Sequence, residues 1–411
     1  MGRRHVRDLR SASIWWLPAA LAFGEVPPVV GEDAPRYTAR LITPGISALN
    51  AAAMNEAGDV VGTGTTGSGA WVSFGGAPAV LLPLPPGAQF GFANDINDAG
   101  VIVGSVGSSS YPGLFGKAVA WIPDGFGAYT IQQFGTLPGH VSSDATAANN
   151  VGDIVGYSSN GTFRYAVLFT GASGIQDLSS TGVFDPSDVN DQRVLVDHSY
   201  YTKRLDLDTM IVENLGAPGP GYASSWGEAI NESGQVAGSV INTWGGSNCP
   251  SHAARYTNGL GWEVLSGCGQ ANGAWDINDL GDVVMRLNLA PYVTLQGVGT
   301  FRIEDLVIAD VGHWYVINGY GLTINNARQM AVPATNSDTN ESGIILLTPI
   351  VTGKPGDTDG DGDVDLSDLG VVLASYGLCS GDAGYAAAAD LDQSGCIDLS
   401  DLGIVLSTFG T

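Results

Sequence analysis

The sequence predicts an all-β fold in which seven four-stranded antiparallel blades close into a ring, followed by a small α-helical module. Three observations predict the ring: a hairpin phrase that recurs seven times, the period at which it recurs, and chain ends that complement each other. The phrase is clearest at Ile96-Asn97-Asp98-Ala99-Gly100-Val101-Ile102-Val103-Gly104, and its other copies centre on Asn55, Asn149, Asn190, Asn231, Asn278 and Asn325. A strand ends at each Asn, a type I turn covers the next two residues, and a left-handed residue starts the return strand. Gly adopts that conformation freely, and Asn supports turns through side-chain-to-backbone bonds. Two copies place Arg193 and Arg328 at the Gly position, which predicts strained or differently turned hairpins there.

Successive asparagines lie 42, 52, 41, 41, 47 and 47 residues apart. A strand-built period of about 40–50 residues is the range of propeller blades. A third strand follows each hairpin, as in Ala70-Trp71-Val72, Val119-Ala120-Trp121-Ile122, Val167-Leu168-Phe169 and Ala254-Arg255-Tyr256. Because Trp71, Trp121, Phe169 and Tyr256 recur in register, they read as core. A Gly-rich turn and a fourth strand complete the unit, as in Tyr129-Thr130-Ile131-Gln132. The last unit stops after Ile344-Ile345-Leu346-Leu347, without a fourth strand, while Tyr37-Thr38-Ala39-Arg40-Leu41-Ile42 precedes the first hairpin without a blade. Pairing these two closes the ring and removes its exposed edges. A sandwich or an open solenoid, the competing architectures, needs no such ends.

The phrase I-N-x-x-G-x-V-V-G, followed by an aromatic strand, resembles the HAF family of bacterial extracellular repeats over about residues 36–350. The resemblance implies a secreted β-propeller-like repeat protein and no particular reaction.

Composition narrows the function. The 411 residues include 59 glycines, only 14% are charged, and the net charge is −25. This balance argues against nucleic acid as a partner, since phosphate contacts need clustered Lys and Arg. Arg3, Arg4, Arg7 and Arg10 precede a short apolar stretch ending at Ala20-Leu21-Ala22. That is the pattern of a signal peptide over residues 1–22, too short to span a bilayer. An uncleaved anchor is the alternative. Export predicts an extracellular protein, secreted or held at the cell surface, with no membrane span after cleavage. Removing the four Arg and Asp8 takes the charge to −28. The four cysteines suit two disulfides, Cys249 with Cys268 and Cys379 with Cys396. No Cys/His spacing suits zinc.

The face opposite the hairpins receives Tyr111, Phe115, His140, Trp226, Trp244 and His252, which suits stacking on carbohydrate or gripping a partner peptide, or only local plugging of Gly-rich loops. Glu56, Asp98, Asp191, Glu232 and Asp279 recur as turn residues, which fits turn chemistry better than the converging carboxylates of glycoside hydrolysis. Arg193, Asp197, His198, Lys203 and Arg204 crowd the fourth unit, as a binding patch or a decayed repeat. No catalytic residue is assigned.

Residues 351–356 read as a linker, after which residues 357–411 contain eleven Asp and no Lys, Arg or Glu. Asp357, Asp359, Asp361, Asp363, Asp365 and Asp368 occupy positions 1, 3, 5, 7, 9 and 12 of a calcium loop, with Gly362 at the sharp turn. Position 7 coordinates through its carbonyl, so Asp363 need not use its carboxylate. Asp390, Asp392, Ser394, Cys396, Asp398 and Asp401 repeat the pattern 33 residues later, with Ser394 the poorer ligand. Two calcium ions are expected. Each loop leads into a helix with apolar positions one turn apart. Paired loops of this kind, with Asp at position 12, resemble a type I dockerin. The resemblance implies calcium-dependent folding and a cohesin-like partner read by Leu366, Ser367, Leu399 and Ser400, although dockerins usually carry hydroxyl pairs there, often with a basic residue following on the helix.

These readings predict a secreted calcium-binding protein with a non-catalytic binding or attachment role, the propeller recognising carbohydrate or protein and the module docking to a partner or surface. The alternatives are an enzyme or accessory protein of polysaccharide breakdown, as an O-glycosyl hydrolase, and a structural extracellular repeat protein.

Overall fold

The computed structural model describes residues 35–43, 45–46, 48–64, 69–108, 116–171, 174–242, 251–267, 273–307, 314–316, 321–350, 355–359, 363–380, 382, 384–392 and 394–410. The expected signal peptide, Tyr111, Phe115, Trp244, Cys249, Cys268, Asp361 and Gly362 lie outside them.

Seven separate antiparallel sheets form the β region. Blade two shows the pattern: Phe90–Ile96, Ile102–Gly107, Lys117–Pro123 and Tyr129–Gln133 pair in chain order, from the innermost strand outwards. In blade seven the inner position is shared by Trp314–Val316 and Thr323–Ile324, both paired with Met330–Asn336. Ser342–Ile350 follows, and its outer partner is Arg36–Leu41, with Tyr37 opposite Pro349 and Arg40 opposite Leu346. The chain's first strand therefore completes its last blade, as the complementary ends predicted.

The hairpins also follow the prediction. The N–H of Gly58 donates to the Asn55 carbonyl at 3.0 Å, and the N–H of Asn55 donates to the Asp59 carbonyl at 3.1 Å. Arg193 and Arg328 make the same turn, with φ of 63° and 58°, so these hairpins are strained rather than differently turned.

The last glycine of the phrase has a packing cause. A Cβ on Gly104 would lie 1.9 Å from the Phe92 carbonyl oxygen, and one on Gly238 would lie 2.0 Å from that of Trp226. The inner strand bulges there, between Ala93 and Asp95 in blade two and between Gly227 and Ala229 in blade five. The bulge drives a carbonyl against the second strand, where only hydrogen fits.

The core lies between adjacent blades. Val61, Val72 and Leu82 of blade one pack with Ile96, Ile102, Val119 and Trp121 of blade two. Trp71 and Trp121 are fully buried, and Trp121 Nε1 donates to the Pro83 carbonyl at 2.8 Å. Truncating a Trp buried in this way costs about 3–5 kcal/mol. Phe169 is also buried, while Tyr256 is half-buried. A helical turn, α1 (Ile303–Leu306), buries Ile303 and Leu306 against blades six and seven. Beyond the β region the chain forms helices α2 (Leu366–Ala374) and α3 (Leu399–Thr408) around Val364, Val372, Ala389, Ile397 and Val405. Cys379 and Cys396 are disulfide-bonded. No helix among the described residues is long and apolar enough to cross a membrane.

Candidate functional site

Two acidic loops precede α2 and α3 on the same scaffold. Asp368 takes hydrogen bonds from the backbone N–H of Thr358 at 2.5 Å, Asp359 at 3.1 Å and Asp365 at 2.8 Å. Asp401 takes the equivalent bonds from Leu391 at 2.7 Å, Asp392 at 3.1 Å and Asp398 at 2.8 Å. Burial pushes both carboxyls up, but these backbone bonds outweigh it and hold them below the usual carboxylate range. Carboxylate oxygens of Asp357, Asp359 and Asp368 lie within 4.8 Å of one another, as do those of Asp363, Asp365 and Asp368, and of Asp390, Asp392 and Asp401.

Three of the ligand candidates have local roles as well. Asp363 brings its carboxylate into the cluster rather than only its carbonyl. Asp398 stays outside the second cluster; its carboxylate caps α3 and accepts the Ser400 N–H at 2.8 Å. Asp365 caps α2 in the same way while remaining in its cluster. The Ser394 hydroxyl donates to the Cys396 carbonyl at 3.1 Å. Cys396 Sγ is held in the disulfide, which leaves its carbonyl as the available donor atom.

The donor set fits a hard cation: it is all oxygen, and one oxygen is orphaned. Asp390 Oδ2 accepts from Tyr385 Oη at 2.6 Å and the Gly395 N–H at 2.9 Å. Its buried Oδ1 has no partner among the described residues, an arrangement that costs free energy unless something completes it. Leu366 and Leu399, at the starts of the two helices, are 74% and 72% exposed. Ser367 and Ser400 beside them are exposed as well.

The β region holds a second site that the sequence reading did not foresee. The seven hairpin asparagines form a closed ring: each Nδ2 donates to the backbone carbonyl of the next blade's Asn, from Asn55 to Asn97 at 3.3 Å, through Asn149, Asn190, Asn231 and Asn278, and from Asn325 back to Asn55 at 3.3 Å. A second ring runs one residue further along. The N–H of Glu56 donates to Asp98 Oδ1 at 2.9 Å, and the chain continues through Asn150, Asp191, Glu232 and Asp279 to Asn326, whose N–H returns to Glu56 Oε2 at 3.1 Å. The acidic turn residues thus act as inter-blade acceptors around the mouth of a central channel.

Inside the channel stand Asp95, Asp188 and Asp276, on blades two, four and six. Each bridges to the next blade: Asp95 accepts the Ala148 N–H at 2.8 Å, Asp188 that of Ile230 at 2.8 Å and Asp276 that of Ile324 at 2.9 Å. The second oxygen of each accepts the N–H of the following residue. Desolvation raises Asp95 to about 6, Asp188 to about 7 and Asp276 to about 6, and mutual repulsion adds to it. Glu56 is raised to about 7, again chiefly by burial. Carboxylates therefore converge on one cavity, of about 440 Å³: the turn acids at its mouth and, beneath them, three strand aspartates. The recurrence Asp-Ile-Asn or Asp-Val-Asn at residues 95, 188 and 276 was the clue to them in the sequence.

On the opposite face the predicted aromatic residues take separate places. His140 packs on Tyr165 and bonds Ser158, and His252 is buried against Tyr222. Trp226 is exposed and packs on His198.

No protein-family model matches the sequence, and no curated protein is similar to it. Among solved structures, the chain is similar to a streptogramin B lyase (TM-score 0.48, 11% identity, 76% of this chain and 98% of that one). It is also similar to virginiamycin B lyase from Staphylococcus aureus (TM-score 0.48, 11% identity, 77% and 100%). A third similar structure is an oligogalacturonate lyase in complex with manganese (TM-score 0.48, 9% identity, 77% and 97%). The propeller architecture of this chain stands on its strand pairing.

Proposed function

We propose that the chain is a secreted calcium-binding attachment protein, in which a HAF-like propeller over residues 36–350 recognises carbohydrate or protein. A dockerin-like module over residues 357–411 docks it to a cohesin-like or cell-surface partner. The observation that carries this reading is the duplicated loop: two acidic clusters, each built on a carboxylate fixed by three backbone N–H groups. Asp357, Asp359, Asp361, Asp363, Asp365 and Asp368 would hold one calcium ion. Asp390, Asp392, Ser394, the Cys396 carbonyl and Asp401 would hold another. When bound, the ions neutralise carboxylates that otherwise repel, which couples the folding of the module to metal. Leu366, Ser367, Leu399 and Ser400 would then be presented on the paired helices.

Calorimetric titration of the full chain with calcium chloride tests this. Two ions are expected, Asp357→Ala and Asp390→Ala each removing one, with a calcium-dependent gain in helical circular dichroism. Heats that stay the same in both variants, or no heat at all, refute it.

A second reading, an enzyme of polysaccharide breakdown, is favoured by one observation: the channel holds carboxyls raised to about 6 and 7, the range of a general acid. Against it, both oxygens of each are committed to backbone N–H groups. Release of reducing ends from a polysaccharide panel, abolished by Asp188→Asn, would favour this reading over attachment.

A further inference from the structure

We infer that a cleft on the propeller face opposite the hairpin rings is the ligand site, and that it takes one ring of a neutral sugar chain. The inference rests on the proposal that the propeller is the ligand-recognising half of the molecule. A cavity of about 220 Å³ lies between blades four, five and six, and His198, Trp226, Glu228, Ser239, Trp275 and Arg286 line it. His198 follows the second strand of blade four, Val194–Asp197, at the end away from its hairpin. Trp226 and Glu228 come from the inner strand of blade five, Tyr222–Ile230, and Arg286 from blade six.

The backbone places Glu228 deliberately. It is the extra residue of the blade-five bulge, between Gly227 and Ala229. Blades one to four and blade six put Ala52, Asn94, Thr146, Ser187 and Trp275 at that position. Bulges re-aim a side chain, and blade five is the one among these six that aims a carboxylate. Glu228 Oε1 lies 3.0 Å from His198 Nδ1. This fixes the imidazole, whose Nε2 has no protein partner among the described residues. The same hydrogen bond, working against burial, holds His198 above the ordinary histidine range. Trp226 stays 38% exposed, with its ring 5.3 Å from that of His198.

This is an amphipathic pocket: an indole for the C–H face of a sugar, and a carboxylate, an imidazole and a serine hydroxyl for its hydroxyl groups. Glu228 is the one carboxylate in the lining of the cleft, beside Arg286 and His198, so the lining holds no excess of negative charge. The chain as a whole carries −25, which repels polyanions. The volume falls below the ~300 Å³ at which drug-sized sites begin; one ring enters and the remainder of the glycan stays in solvent. Glu228 and Trp275 also line the central channel.

The test uses the full chain and four labelled neutral hexasaccharides, cellohexaose, xylohexaose, mannohexaose and maltohexaose, with hexagalacturonate as the anionic control. Fluorescence anisotropy should show binding to at least one neutral glycan and none to hexagalacturonate. Trp226→Ala and His198→Ala should each weaken binding on the order of tenfold, while Trp226→Phe retains most of it, with melting temperatures measured to confirm that each variant folds. Neutral-glycan binding that survives both alanine variants refutes the cleft while leaving the propeller as the recognising half. Binding of hexagalacturonate alone, or of no glycan, overturns the sugar assignment; the attachment reading is then decided by the calcium titration.

Discussion

One residue type does two jobs in each blade. The Oδ1 of a hairpin Asn closes its own turn by accepting the N–H four residues on, and its Nδ2 ties the blade to its neighbour. For Asn278 these bonds are 2.8 Å from the Asp282 N–H and 3.0 Å to the Asn325 carbonyl, with a further 3.0 Å bond to Asp282 Oδ2. Asn278 is 4% exposed, so water cannot replace them. Asn278→Ala should lower unfolding stability by about 3 kcal/mol, because it strands a buried N–H and a buried carbonyl. Chemical denaturation measures this, and a loss no larger than that of a surface alanine variant would show that the ring contributes nothing. The two Arg hairpins follow the same logic. A left-handed Arg costs about 1–2 kcal/mol, and Arg328 offsets this by pairing its Nε at 2.9 Å with Asp282, which is 0% exposed.

At the scale of elements, closure is the decisive device. Without Arg36–Leu41, the strand Ser342–Ile350 would present a free apolar edge next to blade one. A chain lacking residues 36–41 should self-associate and melt well below the full chain. Gel filtration with light scattering reads the first effect and calorimetry the second; a monomeric, equally stable truncation would mean that the ring needs no clasp. The C-terminal helices use a more local device. Both begin with a reciprocal capping box, Asp365 with Asp368 and Asp398 with Asp401. The position 12 carboxylate therefore serves helix start and metal cluster together.

For the whole molecule, the channel carboxyls set a pH dependence. Asp95, Asp188, Asp276 and Glu56 are raised in the fold to between about 6 and 7. Their unfolded values are about 3.9 for Asp and 4.3 for Glu. A raised folded value means that the native state holds protons the unfolded chain has released. The stability they contribute is complete below about pH 4 and is lost as pH rises through 6 and 7. The melting temperature of the propeller should be on the order of 5 °C higher at pH 5 than at pH 8, and Asp188→Asn should flatten the slope. A melting temperature that rises across this interval would contradict the placement of these groups.

The sequence by itself determined the local and repetitive facts. Seven hairpins, the four-strand order, the clasp between residues 37–42 and 344–347 and the two acidic loops follow from short-range turn chemistry and period, and the Cys379–Cys396 disulfide from the number and placement of the cysteines. These depend on residues close in the chain or on an arithmetic of strands. The tertiary structure alone decided what faces what. The hairpin asparagines and acids bond across 41 to 52 residues within the ring, and across 270 residues at its closure. Asp95, Asp188 and Asp276 share a recurring tripeptide in the sequence, but only closure brings their three blades around one axis. Trp226 and His198 belong to different blades, and the Glu228 side chain at a one-residue bulge meets His198 beside the Trp226 ring. A carboxylate's desolvation and its neighbours' charge are properties of the closed ring, and no window of sequence contains them.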